Sequence, residues 1–222
     1  MYLKNQTLQR SYRLLLVLLC QIGIVLQYTM VFHIGKVGML SCYYTMHSNF
    51  VCLAYFAWLL IRQPREEQPA VKGGVVLCIA ITGLVYHFML NGAMEAGVGA
   101  VGEVTSLDIV ANTLVHYVVP IMTLMDYLLF TPKGGFRWQH PFAWLSLPIA
   151  YVIFALIRAE VSDGMFAGFS GQSRYPYPFL DVDLFGLGKV LLMVAAILLG
   201  ALLLGYLLYG LDRLLARASR TR

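Results

Sequence analysis

Six stretches of the chain are apolar over roughly the 20 residues that a membrane-crossing helix needs. They cover approximately 14–34, 41–61, 74–90, 107–130, 144–157 and 187–209. The third and fifth are short or interrupted by polar residues, so their ends are the least defined. The pattern predicts an all-α polytopic membrane protein, a bundle of six transmembrane helices forming a single integral membrane domain over 1–222. The first stretch is too long for the apolar core of a signal peptide, and no small-residue cleavage pattern follows it. No internal repeat or low-complexity tract interrupts the series. The longest interval between stretches, about 159–186, carries Tyr175-Pro176-Tyr177-Pro178-Phe179-Leu180-Asp181. Alternating aromatic and proline residues suit a stiff, extended segment at the membrane interface. Such a segment serves equally as an anchor or as a lid over a site.

Composition sharpens the class. The 222 residues are 59% apolar and 12% charged, with a mean hydropathy of +0.72. A soluble domain is about 45–50% apolar and about 25% charged. A water-soluble enzyme, a disordered chain and a disulfide scaffold are all poor fits. Cys20, Cys42, Cys52 and Cys78 form no metal-ligand spacing and read as small hydrophobes. The net charge of +5 would suit nucleic acid if the basic residues were clustered. Instead they fall between and beside the apolar stretches. Twelve of the sixteen lie on the side that includes both termini and four on the other. By the bias of basic residues toward the cytoplasm, both termini are cytoplasmic. The basic tail is then a topology signal in contact with anionic lipid, and no nucleic-acid partner is expected.

Polar residues inside hydrocarbon are costly without a partner, so their positions carry information. Thr45, Ser48, Asn49 and Cys52 follow i, i+3, i+4, i+7 and share one helix face. His47 lies on the same turn. His87 and Asn91 are one turn apart at the end of the third stretch. Asp108, Asn112 and His116 recur every four residues in the fourth. Arg158 ends the fifth beside Glu160, while Gln27, Tyr28 and His33 lie in the first. With the topology above, nearly all of these belong to the outer half, and the inner half offers mainly Asp126. The expectation is a polar cavity at or just below the outer surface. Thr, Ser and Asn in spans also serve simply as interhelical hydrogen bonders, which is the plainer reading of Ser48 and Asn49. His116 stands apart. It lies about 14 Å into its span at 1.5 Å per residue, near the midplane. Pro120 lacks the N–H that would bond the His116 carbonyl, so a kink and a freed acceptor are expected there.

No P-loop, dinucleotide fingerprint, metalloprotease pair or nucleophile elbow is present. A hydroxyl nucleophile served by a histidine base remains open, with Thr45 and His116 meeting across the cavity. The segment Tyr43-Tyr44-Thr45-Met46-His47-Ser48-Asn49 resembles the androgen-induced-protein family of six-span integral membrane proteins. So does Leu114-Val115-His116-Tyr117-Val118-Val119-Pro120, continuing to Asp126-Tyr127-Leu128-Leu129-Phe130. The stretch from Pro148 to Arg158 and the Tyr175–Phe179 motif look like its bacterial branch, which implies a bacterial plasma membrane. The resemblance covers most of the chain. It implies a threonine hydrolase that cleaves lipid esters, such as fatty acid esters of hydroxy fatty acids, with Thr45 as nucleophile and His116 as base. The histidines lack ligand spacing and the cysteines are scattered through apolar stretches, so no metal or cofactor is expected. Membrane lipids are then the surroundings and a lipid ester the substrate. His47, Ser48, Asn49, His87, Asn91, Asp108, Asn112, Arg158, Tyr175, Tyr177 and Asp181 are the supporting or substrate-binding candidates. Asn49, Asn112 and Arg158 are the candidate oxyanion donors. Two other classes stay open: a transporter or sensor that uses the cavity for binding, and a redox protein with haem or metal held by His47, His87 and His116.

Overall fold

A computed structural model of the protein describes residues 2–32, 35–90, 105–168 and 171–219. Six helices among the described residues are long and apolar enough to cross a bilayer. They are α1 Gln6–Phe32, α2 Tyr44–Arg62, α3 Pro69–Leu90, α4 Ser106–Phe130, α5 His140–Val161 and α6 Leu187–Ala218. The protein is an all-α integral membrane bundle. Both outer helices extend past the apolar stretches that predict them. α1 begins at Gln6 and α6 runs to Ala218 because their basic ends stay helical, with Arg10 and Arg213 exposed. α2 begins at Tyr44 rather than 41. Residues 41–43 form a turn that follows the short helix Val37–Leu40.

α3 is the centre of the bundle. It packs against α2 and α4 on one side and against α5 and α6 on the other. Val75 and Ile79 enter a core with Leu16, Cys20 and Phe56. Val76, Leu77 and Ile81 enter a second core with Tyr151, Leu180 and Val194. A helix apolar all round suits this double burial. Close approach to α5 depends on Gly73, where an added Cβ would lie 2.0 Å from the Trp144 indole. Small residues at such contacts let membrane helices approach closely. The indole N–H donates to the Ala70 carbonyl at 2.7 Å. α1 and α6 are peripheral: each buries 22% of its most apolar window, against 50% for α2, α3 and α4. Their exposed leucines, among them Leu192, Leu199 and Leu203, form a surface suited to lipid.

At one end of the bundle three buried charges gather with a half-buried fourth. Asp126 of α4 accepts from Arg13 of α1 at 2.8 Å and contacts the Lys72 ammonium of α3. Glu67, in the α2–α3 connection, pairs with Arg13 at 2.5 Å and with Lys72 at 3.4 Å. Tyr55 of α2 donates to Glu67 at 3.3 Å, and Lys72 stands over the Phe56 ring at 4.6 Å. Arg13 and Lys72 count as connection charges by sequence, but the structure buries both. The reason is pairwise: an aspartate inside the bundle demands cations, and these two are within reach. Nearby, Asp212 of α6 accepts from the Tyr127 hydroxyl at 2.8 Å and from the Gly134 and Phe136 amides at 2.9 and 3.0 Å. That carboxylate fastens the last helix to the α4–α5 connection.

The other end is covered by the α5–α6 connection. Two short antiparallel strands, β1 Phe166–Gly168 and β2 Gly171–Ser173, pair with Phe166 opposite Ser173. The chain then passes through Tyr175 and Tyr177 to a single 3₁₀ turn at Pro178–Leu180 and a short helix at Val182–Phe185.

Removing one member of a buried ion cluster leaves the others uncompensated, typically costing about 3–5 kcal/mol. Asp126→Ala, which leaves Arg13 and Lys72 with Glu67 as their one carboxylate in the cluster, should therefore lower thermal stability in detergent sharply. A melting temperature within a degree or two of the parent would show that the cluster contributes little.

Candidate active site

The candidate residues approach one another because α4 changes its winding at the right depth. From Leu114 to Val118 the helix widens to a π turn, in which the Val119 N–H bonds the Leu114 carbonyl. Pro120 follows directly and cannot bond the His116 carbonyl. Such π turns recur at functional sites. α3 has a π turn of its own at Tyr86–Leu90. The two helices meet where Gly83 faces the freed carbonyl, and a Cβ at Gly83 would lie 2.8 Å from the His116 oxygen. Tyr86 stacks on the His116 ring at 3.9 Å between centroids with an 18° tilt. The imidazole is held between a neighbouring ring and its own helix.

His116 Nδ1 lies 3.1 Å from the Asn112 carbonyl one turn earlier. A carbonyl only accepts, so Nδ1 carries the proton and the neutral ring presents a lone pair at Nε2. Nε2 is 3.2 Å from Thr45 Oγ1. The threonine hydroxyl therefore donates to the imidazole. Its oxygen lies 3.4 Å from the Tyr177 hydroxyl, which is also 3.4 Å from the Thr45 backbone N–H. That amide belongs to the first turn of α2, where backbone donors lack helical partners. It donates to the phenol oxygen, so the phenol proton is directed at Thr45 Oγ1. One run of hydrogen bonds thus joins Tyr177, Thr45, His116 and the Asn112 carbonyl. Thr45 is 8% exposed and His116 7%.

Asn49 locks this geometry in place. Its amide donates to the Thr45 carbonyl at 2.8 Å and to the Val115 carbonyl at 3.2 Å, tying α2 to the π turn. Ser48 points to α3, sharing a 2.6 Å bond with the Thr82 hydroxyl. Both act between helices.

The space beside Thr45 differs from the polar cavity expected by sequence. A small, partly open cavity of about 50 Å³ lies between α2, α3, α5, α6 and the covering loop, with Thr45 and Tyr177 in its wall. Most of the remaining wall is hydrocarbon, including Ile81, Val85, Val152, Val194 and Leu198. The polar residues of this end are engaged with one another, so what remains open is apolar.

The other candidates have distinct places. His47 contacts the Ser41 carbonyl at 2.9 Å and meets the Tyr151 ring edge-on. His87 is exposed and lies 3.2 Å from the Tyr117 hydroxyl. The three histidines considered for haem or metal thus have three different protein partners and do not converge. Among the described residues, no group of three His, Cys, Asp or Glu side chains is placed to share an ion. Asp108 forms a capping box with Thr105 at the start of α4. The Asn112 side chain accepts from Gln27 at 2.9 Å, so only its backbone serves His116. Arg158 is drawn into the loop, donating to the Arg174 and Gly164 carbonyls at 2.7 and 2.8 Å. Asp181 caps the Val182–Phe185 helix through Leu184 and accepts from Ser173 at 2.7 Å. Tyr175 is buried, its amide donating to the Ser173 hydroxyl. Asn91 and His33 lie outside the described residues.

Sequence reasoning did not single out Tyr86 as the ring that braces His116, nor Gly83 as its neighbour. A glycine one turn before a polar helix end was the available signal. No family model matches the chain, and neither a curated protein nor a solved structure is similar to it.

Gly83→Ala places a methyl against the His116 carbonyl and should displace the π turn. It should cost about 1–3 kcal/mol of stability, as overpacking does, and loosen the Thr45–His116 contact. An unchanged melting temperature with an unchanged environment for His116 in NMR would contradict that.

Proposed function

We propose that the protein is an intramembrane threonine hydrolase that cleaves lipid esters. The observation that carries this reading is the 3.2 Å contact from Thr45 Oγ1 to the unprotonated nitrogen of His116. A threonine hydroxyl is a poor nucleophile until a base removes its proton. Here the base has its other nitrogen fixed by the Asn112 carbonyl, so its tautomer suits the task. The adjacent apolar, partly open cavity offers hydrocarbon surface along which an acyl chain would lie, with the ester carbonyl brought to Thr45. The likeness of the Thr45 and His116 segments to the androgen-induced-protein family agrees, and fatty acid esters of hydroxy fatty acids are the substrate class it suggests.

In this reading Thr45 Oγ1 attacks the ester carbonyl while its proton passes to His116 Nε2. The tetrahedral intermediate collapses, the alcohol leaves with that proton, and the acyl group stays on Thr45. Water then attacks the acyl-enzyme with His116 again as base, releasing the fatty acid. In this reading both termini are in the cytoplasm of a bacterial cell, as the bias of basic residues suggests. Setting aside the buried Arg13, Lys72 and Arg158, ten basic residues still stand against three. The site then lies in the outer half of the plasma membrane.

Thr45→Ala and His116→Ala should each lower hydrolysis of 4-nitrophenyl palmitate by about 10²–10⁴-fold, the usual contribution of a general base. Because the pair acts as one unit, the double variant should be about as slow as either single one. Thr45→Ser keeps the oxygen and should retain activity. Ser48→Ala, which removes a bond between helices, should cost about 1 kcal/mol of stability and little turnover. Normal turnover in Thr45→Ala and His116→Ala would remove both residues from the machinery, and a wild type that binds palmitate but is no faster than Thr45→Ala would make the protein a lipid carrier rather than a hydrolase.

The topology has its own check. A cysteine introduced at Arg217 should be labelled from the cytoplasmic side only. Labelling from outside would invert the bundle and put the site in the inner half.

A further inference from the structure

The three residues that sequence marked as oxyanion donors are engaged elsewhere. The Asn49 amide holds two carbonyls, Arg158 is spent within the loop, and the Asn112 side chain faces Gln27. An acyl transfer at Thr45 still generates a negative oxygen within bonding distance of Oγ1. Preorganised donors at that point commonly supply about 10²–10³ in rate. A donor there must line the cavity, stand beside Oγ1 and carry a proton free to turn.

Tyr177 meets all three conditions. It lines the cavity with Thr45, and its hydroxyl is 3.4 Å from Thr45 Oγ1. Its oxygen accepts the Thr45 N–H, so its proton points away from the backbone and toward the reacting centre. Its ring is fixed on three sides, stacked on Phe179 at 5.2 Å and 6° and met edge-on by Tyr43 and Tyr151. Resting on the hydrolase reading above, we infer that Tyr177 is the oxyanion donor of the reaction, carried to the site by the covering loop.

At rest the phenol proton bonds Thr45 Oγ1. When a substrate carbonyl binds, that proton turns to the carbonyl oxygen. Thr45 Oγ1 forms its bond to the carbonyl carbon and gives its proton to His116. The C=O π pair becomes the oxyanion, which the Tyr177 O–H stabilises without transferring its proton. Collapse restores the C=O bond and breaks the bond to the alcohol oxygen, which takes the proton from His116. Burial raises the phenol above its ordinary pKa, outweighing the hydrogen bonds from Thr45 and Tyr44 that lower it. The phenol is therefore protonated, and able to donate, at neutral pH. The same residue links site to loop: with the α5–α6 connection displaced, Thr45 and His116 would remain paired but lack their donor.

The test compares the full-length wild type, Thr45→Ala and Tyr177→Phe in detergent. Tyr177→Phe keeps the ring and its packing and deletes only the hydroxyl. The substrate is 4-nitrophenyl palmitate, the transition-state mimic hexadecyl trifluoromethyl ketone, and the ground-state mimic hexadecanol. For Tyr177→Phe, kcat should fall about 10²–10³-fold while KM and hexadecanol affinity change less than about threefold. Ketone affinity should fall in proportion to kcat/KM, because the ketone adduct on Thr45 carries the same negative oxygen. A purely structural role would move KM and hexadecanol binding together with kcat. Wild-type kcat and ketone affinity in Tyr177→Phe would overturn the assignment and leave the hydrolase reading standing. A wild type no faster than Thr45→Ala would overturn both. Should Tyr177→Phe not fold, Tyr177→His keeps a ring and an N–H donor. It should then preserve a preference for the ketone over hexadecanol, and loss of that preference in a folded Tyr177→His would contradict the assignment.

Discussion

The widening of α4 at Leu114–Val118 is the feature from which the site follows. Proline at 120 denies the His116 carbonyl its helical partner, and the π turn accommodates the break. The same turn sets the imidazole between Tyr86 and Thr45. Gly83 permits it by leaving room for the freed oxygen, and Asn49 fixes it by bonding the Val115 carbonyl. Each of these residues answers the same demand. In hydrocarbon a backbone group without a partner is costly, so the break in one helix recruits neighbours from two others.

The opposite end of the bundle answers that demand with charge. Arg13, Lys72 and Asp126, all buried, and the half-buried Glu67 form a set with equal numbers of each sign, joining α1, α3, α4 and the α2–α3 connection. Asp212 adds α6 through three hydrogen bonds. The helices are thereby clamped at one end. At the other they part around an apolar cavity covered by a loop.

Much of this was legible in the chain. The apolar stretches marked all six helices, because spanning length is set by bilayer thickness. The polar positions marked the end at which Thr45 and His116 lie. A helix period told which face Thr45, Ser48 and Asn49 share, and all three are buried together. What the period could not tell is whom each meets. Ser48 and Asn49 turned out to face other helices, and the Asn112 side chain turned away from His116 toward Gln27. Arg13 and Lys72 resemble flanking charges in sequence because burial by a distant aspartate has no local signature. Tyr177 was marked as a supporting candidate through its aromatic–proline motif, without a partner. The direction of a loop side chain obeys no period, so its place against Thr45 needed the folded chain.

The account rests on Thr45 becoming covalently acylated with His116 as base. The most direct measurement is peptide mass spectrometry of the intact protein after reaction with a long-chain fluorophosphonate. The expected result is a single adduct on the peptide carrying Thr45, absent when His116 is replaced by alanine. An adduct on Ser48 or Tyr177 instead, or one on Thr45 that forms equally well without His116, would contradict it.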